Sequence, residues 1–318
     1  MGMTTRVFID GAAGTTGLEI RERLSNRRDL ALATLDDARR KDASARSAAL
    51  NNAGIVILCL PDDAARQAVS MIENPEVRVI DASTAHRTAP GWVYGIPEMD
   101  KTQRAAIASA MRLSNPGCWP QGLILLLRPL IGAGLVPAGW PVTYHGVSGY
   151  SGGGRSMIAE FEDKSAPNYA REVVRAYALS LEHKHVEEMR MHSGLQHRPL
   201  FAPAVGRFYR GMLAEIPLQL WALPGSPKLS TLYEVLCDAY RGEKLVEVAS
   251  LAESAAKKTL DAEELKDTNR IKLYVFGNEA RGEARLAAVY DNLGKGAAGA
   301  AVQNLNIMMG ASETGSLL

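Results

Sequence analysis

Cys118 stands in the stretch SNPGCWPQG, residues 114 to 122, between an Asn-Pro-Gly turn signal and the apolar run LILLLRPLI. The turn before it and Pro120 just after it predict a helix opening at the cysteine, because proline suits a helix's first turn. A thiol there faces unpaired N–H groups and the positive end of the helix dipole, which lowers its pKa and favours the nucleophilic thiolate. The plainer role for a cysteine is that of a buried small hydrophobe. Cys59, inside GIVILCLP, and Cys237, on an apolar helix face, fit that role. A nucleophile needs a proton carrier, and EHKHVEEM supplies His183 and His185 with Glu187 and Glu188 close behind. Neutral imidazole, titrating near pH ~6.5, moves a proton in either direction, and a glutamate can fix its tautomer. A surface helix end would account for the same residues. Zinc would need a third ligand or a companion thiolate nearby, so no metal is expected.

Two stretches could hold an anionic substrate. GVSGYSGGGR, residues 146 to 155, follows a strand; its N–H groups could form an anion nest, and Arg155 could grip a carboxylate or phosphate. DASTAHR, residues 81 to 87, ends a strand with Ser83 and Arg87. Each also reads as a flexible loop with an exposed arginine. A further glycine-rich stretch, GAAGTTG, spaces Gly11, Gly14 and Gly17 between the strand RVFID and the helix start LEIRERLSN. In that setting free N–H groups and the helix dipole can hold a pyrophosphate. At the ribose end, LDDARRKD offers Asp36 or Asp37 to a 2'-hydroxyl, and Arg39, Arg40 and Lys41 to a 2'-phosphate. Two planar donor forks suit a phosphate dianion, which favours NADP over NAD; an ordinary solvated charge run is the alternative.

The elements that must position these residues are legible as texture. RVFID (6 to 10), LALATL (30 to 35), GIVILCL (54 to 60) and VRVIDA (77 to 82) are short apolar runs, separated by helical segments such as PDDAARQAVSMI (61 to 72). Strands apolar on both faces, alternating with helices, predict an α/β, Rossmann-like, doubly wound parallel sheet over residues 1 to 115. From 116 to 293 the runs PVTYHGVSG, LFAPAVG and MLAEIPLQLWAL and the helical STLYEVLCDAY predict a mixed α+β domain for catalysis, substrate binding and oligomerisation. RIKLYVFG and EARLAAVYDNLG flank NEARG as an antiparallel hairpin. The final GKGAAGAAVQNLNIMMG carries Val302, Leu305 and Met309 at helical spacing, so residues 294 to 318 are expected to return to the first domain as a closely packed helix.

Composition narrows the function classes. With 318 residues the chain suits two domains. Its three cysteines are far apart and form no CxxC pair, as expected in a reducing compartment. The start MGMTTRVFIDG enters a strand at once, without the features of a signal peptide, so a cytoplasmic protein is expected. The most apolar window, 123 to 136, is interrupted by Arg128 and Pro129 and falls short of the ~20 residues of a membrane span. A formal charge of +1 does not indicate a nucleic-acid partner.

Taken in order, VFIDGAAGTTGLEIRERL, LCLPDDAA, DASTAHR, SNPGCWPQG, GVSGYSGGGR, EHKHVEEM and DNLGKGAAGAAVQNLN carry a resemblance over nearly the whole chain. The chain resembles the N-acetyl-γ-glutamyl-phosphate reductases of arginine biosynthesis, in their shorter form. The resemblance implies that Cys118 attacks the γ-acyl phosphate, that phosphate leaves, and that NADPH reduces the thioester to a thiohemiacetal that collapses to the semialdehyde. It makes His185 the acid/base, with His183 and Glu188 as substrate contacts or orienting partners. It implies cofactor contacts from Gly11, Gly14, Thr15, Thr16 and Gly17, from Arg39 and Arg40, from Leu60, Pro61 and Ser83, and from Asn292 and Gly294. Substrate contacts would come from Arg87, Asn115, Ser148, Gly149 and Arg155, in a homodimer or homotetramer. One departure is Glu187, where the family motif often has proline, which bears on the local backbone. Residue chemistry alone leaves open a related acyl-phosphate reductase of aspartate-semialdehyde or acetylaminoadipyl-phosphate type, a thiol hydrolase, and a non-catalytic NADP-binding regulator.

Overall fold

The first apolar runs become strands, most of them followed by a helix. In the computed structural model, which describes residues 4–36 and 38–317, these strands are β1 (Thr5–Asp10), β2 (Leu30–Ala33), β3 (Ile55–Leu58), β4 (Arg78–Asp81), β5 (Val93–Tyr94) and β6 (Arg112–Ser114). They form an all-parallel sheet in the order β2-β1-β3-β4-β6-β5. Crossovers run through α1 (Thr15–Leu24), α2 (Ala43–Asn51), α3 (Asp62–Ser70) and α4 (Gln103–Ser109). All four residues of β3 are buried, as in a strand covered on both faces. One side is packed by Phe8, Leu50, Val56, Leu58, Val77 and Val79. The chain steps from β1 to β2 on one side and then to β3 on the other, so the strand order reverses between β1 and β3. Such a reversal opens a crevice at the carboxyl ends of the strands, flanked by helix N-termini.

The chain divides into two units, one of Met1–Pro97, Lys101–Gly117 and Ala297–Leu318, the other of Glu98–Asp100 and Cys118–Gly296. The second unit begins its main run with α5 (Cys118–Gly132) and β7 (Thr143–Gly149), followed by α6 (Gly154–Glu162), β8 (Val174–Ala176), α7 (Val186–Ser193) and β9 (Leu200–Gly206). It continues through β10 (Met212–Gln219), α8 (Leu229–Ala239), β11 (Val246–Val248), α9 (Leu251–Ala256), β12 (Ile271–Asn278) and β13 (Glu283–Tyr290). Its mixed sheet runs β11-β12-β13-β10-β7-β9-β8. Helix α5 packs on α7 and α8 and against β10 and β13. The hairpin read from RIKLYVFG and EARLAAVY is present as β12 and β13, paired from Ile271↔Tyr290 to Asn278↔Glu283. Its turn closes through Gly282 at φ +63°, a left-handed position that glycine takes without steric cost.

After a π-turn over Gly294–Ala298, α10 (Gly299–Met308) packs on α4 and α1 in the first unit. Arg104 and Glu313 pair at 2.9 Å there. Among the described residues no helix is long and apolar enough to cross a membrane.

Candidate active site

Cys118 is the first residue of α5, as the Asn-Pro-Gly turn and Pro120 predict. Most of α5 is buried, and it contains Pro129, which lacks the N–H that would bond the carbonyl of Leu125. The hydroxyl of Tyr240 donates to that carbonyl at 2.6 Å, so the helix continues with its buried acceptor satisfied. The first turn is held more tightly. Tyr290 donates to the carbonyl of Cys118 and Tyr144 to that of Trp119, both at 2.7 Å. Burial, chiefly, pushes both phenols well above their ordinary range, with the nearby Cys118 adding to it, so they stay protonated and remain donors. Gly122 admits both: a Cβ there would lie 2.8 Å from the Tyr144 hydroxyl oxygen and 3.0 Å from that of Tyr290.

The histidines join this framework through an aromatic cluster. Trp119 donates from Nε1 to the Tyr177 hydroxyl at 2.8 Å and meets Phe201 edge-on at 5.2 Å between centroids. His183 packs on the same Phe201 at 5.2 Å and meets His185 at 4.7 Å. The backbone N–H of His185 donates to Nδ1 of His183 at 3.1 Å, which makes Nδ1 an acceptor and assigns the proton of neutral His183 to Nε2. His185 caps α7 at its N-terminus and is buried. Its Nε2 lies 3.9 Å from Oε1 of Glu188, itself only 1 % exposed, a separation for an ion pair rather than a hydrogen bond. Of the two glutamates, Glu188 therefore faces the histidine. Glu187 pairs with Arg190, whose hydrogen bond holds its carboxyl below the usual range. The departure from proline at 187 leaves α7 intact, with Glu187 in its first turn.

The glycine segment corrects one expectation. The N–H groups of Gly149, Tyr150 and Ser151 donate to the carbonyls of Gly211, Phe208 and Tyr209 at 2.9, 3.0 and 3.1 Å, so these three cannot form the anion nest. The close approach behind those bonds requires glycine at 149, where a Cβ would sit 2.6 Å from the Tyr209 carbonyl oxygen. Ser148 is buried, its hydroxyl 3.3 Å from the Gly149 carbonyl. Arg155 is exposed in the first turn of α6. Asn292 braces the segment from inside the second unit, donating to Ser151 Oγ at 2.9 Å and accepting from the Gly211 N–H at 2.8 Å. Gly294 donates to Oδ1 of Asp291 at 2.9 Å.

The first unit holds the remaining residues. Gly11 has φ +87°, and a Cβ on it would collide with the carbonyl of Cys59. Gly14 caps α1, and Gly17 lies so close that its Cβ would stand 2.5 Å from the Gly11 carbonyl oxygen. Thr15 and Thr16 open α1, and Oγ1 of Thr15 is buried without a hydrogen-bond partner among the described residues. Leu60 packs against the core beside Gly11, and Pro61 caps α3, so the N-termini of α1 and α3 both face the crevice at the strand reversal. Arg39 and Arg40 lie on an exposed turn closed by Asp36, whose Oδ1 accepts the Arg39 N–H at 2.9 Å; Asp37 lies outside the described residues. Ser83 donates to buried Asp81 at 2.7 Å, and His86 Nδ1 lies 2.6 Å from the same carboxylate. Arg87 is buried, donating to the carbonyls of Asn115 and Ala82 at 3.0 and 3.1 Å. Asn115 donates to the carbonyl of Ala297 and accepts from Asn304 at 2.9 and 3.1 Å. Burial, then Asp81 and Asp10, push the Cys59 thiol up to about 12, which disfavours its thiolate at neutral pH. Among the described residues no three His, Cys, Asp or Glu side chains are grouped to hold a metal.

Residues 6–110 match the family model of the semialdehyde dehydrogenase NAD binding domain, and residues 118–292 that of the semialdehyde dehydrogenase dimerisation domain. The chain is 54% identical over 311 residues to an N-acetyl-γ-glutamyl-phosphate reductase of Chelativorans sp. (strain BNC1), covering 96% of this chain and 99% of that protein. The chain belongs to the N-acetyl-γ-glutamyl-phosphate reductase family. A Pseudomonas putida member, N-acetyl-γ-glutamyl-phosphate reductase 2, is 51% identical over 310 residues, covering 98% of each chain. The fold is shared more widely. A probable aspartate-semialdehyde dehydrogenase from Pseudomonas aeruginosa superposes with a TM-score of 0.71 at 16% identity, covering 96% of this chain and 99% of that one. Within this reductase family member, sequence reasoning missed Tyr144 and Tyr290. Their partners are remote in sequence, and the only local signal is a glycine one turn after the cysteine.

Proposed function

We infer that the chain reduces N-acetyl-γ-glutamyl phosphate to N-acetylglutamate 5-semialdehyde and phosphate, with NADPH as reductant and Cys118 as nucleophile. The observation that carries this is Cys118 at the head of α5, its turn clamped by Tyr290 and Tyr144, in a chain 54% identical over nearly its full length to a named reductase. The thiolate of Cys118 attacks the γ-acyl carbon, the bond from carbon to the phosphate oxygen breaks, and phosphate leaves a thioester. NADPH supplies the hydride for this thioester when bound. The resulting thiohemiacetal expels the Cys118 thiolate and gives the aldehyde. His185, with Glu188 behind it, takes the thiol proton, gives one to the oxygen of the thiohemiacetal and takes it back as the C–S bond breaks and Cys118 leaves as thiolate; His183 presents Nε2–H to the substrate.

Gly11, Gly14, Thr15, Thr16 and Gly17 fit a pyrophosphate, since two of the glycines leave room no Cβ could share and Thr15 Oγ1 awaits a partner. Leu60, Pro61 and Ser83 line the strand ends beside them, and Arg39 and Arg40 serve the 2'-phosphate. The family motif assigns Asn292 and Gly294 to the cofactor. Asn115 and Arg87 orient the chain before Cys118; Ser148 and Arg155 hold the substrate, and Gly149 admits the close backbone approach beside Ser148. The dimerisation domain match supports a homo-oligomer, dimer or tetramer. The test runs the reaction in reverse: NADPH formation from N-acetylglutamate semialdehyde should require phosphate and saturate with it, while arsenate substitutes. NADPH formation indifferent to phosphate would overturn the acyl-phosphate mechanism, and a preference for aspartate semialdehyde would overturn the substrate.

A further inference from the structure

Lys295 and Glu98 are charged side chains of the second unit with no part in the steps above, and both are wholly buried. Nζ of Lys295 lies 2.8 and 2.9 Å from the two carboxylate oxygens of Glu98. Removing both charges from water is costly, and an apolar pair of similar volume is often as stable or more so. Stability alone therefore does not account for the pair. What it holds is visible in the main chain beside it. The carbonyl of Lys295 accepts from Nε2 of Gln121, in the first turn of α5. Next in sequence is Gly296, where a Cβ would stand 2.9 Å from Cβ of Cys118 and 3.4 Å from its Cα. The base of this segment is tied by buried Asp291, whose carboxylate accepts the N–H groups of Leu293 and Gly294 at 2.8 and 2.9 Å and whose carbonyl accepts that of Gly296 at 2.9 Å. Residues 291 to 296 thus form a wall against Cys118, anchored at one end by Asp291 and at the other by the ion pair.

We propose that the Glu98–Lys295 pair positions the Cys118 nucleophile, by fixing the backbone of residues 295 and 296 against the first turn of α5 through Gln121. Glu98 and Lys295 are positioning residues; the inference rests on the reading of Cys118 as nucleophile. The placement of Glu98 agrees with this role. Residues Glu98–Asp100 belong to the second unit although first-unit residues flank them on both sides, and Asp100 is held by Arg128 of α5 at 3.3 Å. The excursion brings in the counter-charge that Lys295 needs.

Removing one partner strands a buried charge and threatens folding, so the test uses the neutral double variant Glu98→Gln/Lys295→Met, with Gln121→Leu beside it. The double variant should melt at or above the wild-type temperature and keep its NADPH affinity and substrate KM. Its kcat should fall by about 10-fold to 100-fold, the loss expected when a reacting atom is displaced by ~1 Å. Gln121→Leu should reproduce much of that loss, and combining it with the double variant should add little, because both changes act on one path. Wild-type kcat in the folded double variant, a loss confined to KM, or losses that multiply in the combined variant would each overturn the proposal. Cys118→Ala runs in parallel. Turnover surviving in Cys118→Ala would sink the nucleophile assignment itself, whereas an inactive Cys118→Ala beside a fully active double variant would sink only the positioning role.

Discussion

The hydroxyl of Tyr290 donates to the carbonyl oxygen of Cys118 at 2.7 Å, joining residues 172 positions apart. Tyr290→Phe keeps the ring and its packing and removes only the donor. The variant should lose about 1 kcal/mol of stability in a urea titration. Its kcat should fall more than its KM rises, since the turn that carries the thiol is the part released. An unchanged urea midpoint together with unchanged kcat would show that the bond contributes nothing.

Gly122→Ala tests the same turn from the opposite direction. Alanine is the better helix former by about 1 kcal/mol. In α5 its methyl would press on both tyrosine hydroxyls at 2.8 and 3.0 Å. Overpacking of a close-packed site costs about 1–3 kcal/mol. The variant should therefore be neutral to destabilised despite the gain in propensity, with reduced activity, as measured by thermal melting and initial rates.

The thiols should separate by reactivity. With its thiol raised to about 12, Cys59 carries about 10,000-fold less thiolate than thiol at pH 8. Alkylation with iodoacetamide at that pH, followed by peptide mass spectrometry, should label Cys118 long before Cys59, and activity should fall in step with Cys118 labelling. Equal labelling of the two would contradict both the raised Cys59 thiol and the nucleophilic role of Cys118.

The two adjacent glutamates should behave in opposite ways. Glu188→Gln removes the buried carboxylate facing His185 and should lower kcat by about 10-fold or more while altering its pH profile. Glu187 is depressed by Arg190, so its contribution to stability is present above the ordinary glutamate value and lost as pH falls through the lowered one. The pair is exposed, which limits that contribution to less than about 0.5 kcal/mol. Glu187→Gln should thus leave kcat unchanged and shift the urea midpoint only slightly, and only above that range.

The sequence by itself determined what depends on neighbours along the chain. Gly11 and Gly17 announce their turn because one must take a left-handed φ and the other must admit a carbonyl. Cys118 announces a helix start because Asn-Pro-Gly cannot continue a strand and Pro120 tolerates the first turn. The hairpin of β12 and β13 is legible because its turn is local and its strands alternate. Tertiary structure decided what depends on residues brought together from afar. Glu187 and Glu188 are equivalent in a string of letters, and only the packing of α7 on α5 buries one and leaves the other to Arg190. The N–H groups of Gly149, Tyr150 and Ser151 look available until residues 208 to 211 arrive to accept them. A lysine predicts solvent, yet Lys295 is buried, because Glu98, 197 positions away, meets its charge there. Local conformational preference acts over a few residues and is written in their order; the desolvation and pairing of buried polar groups is set by whichever distant groups the fold delivers.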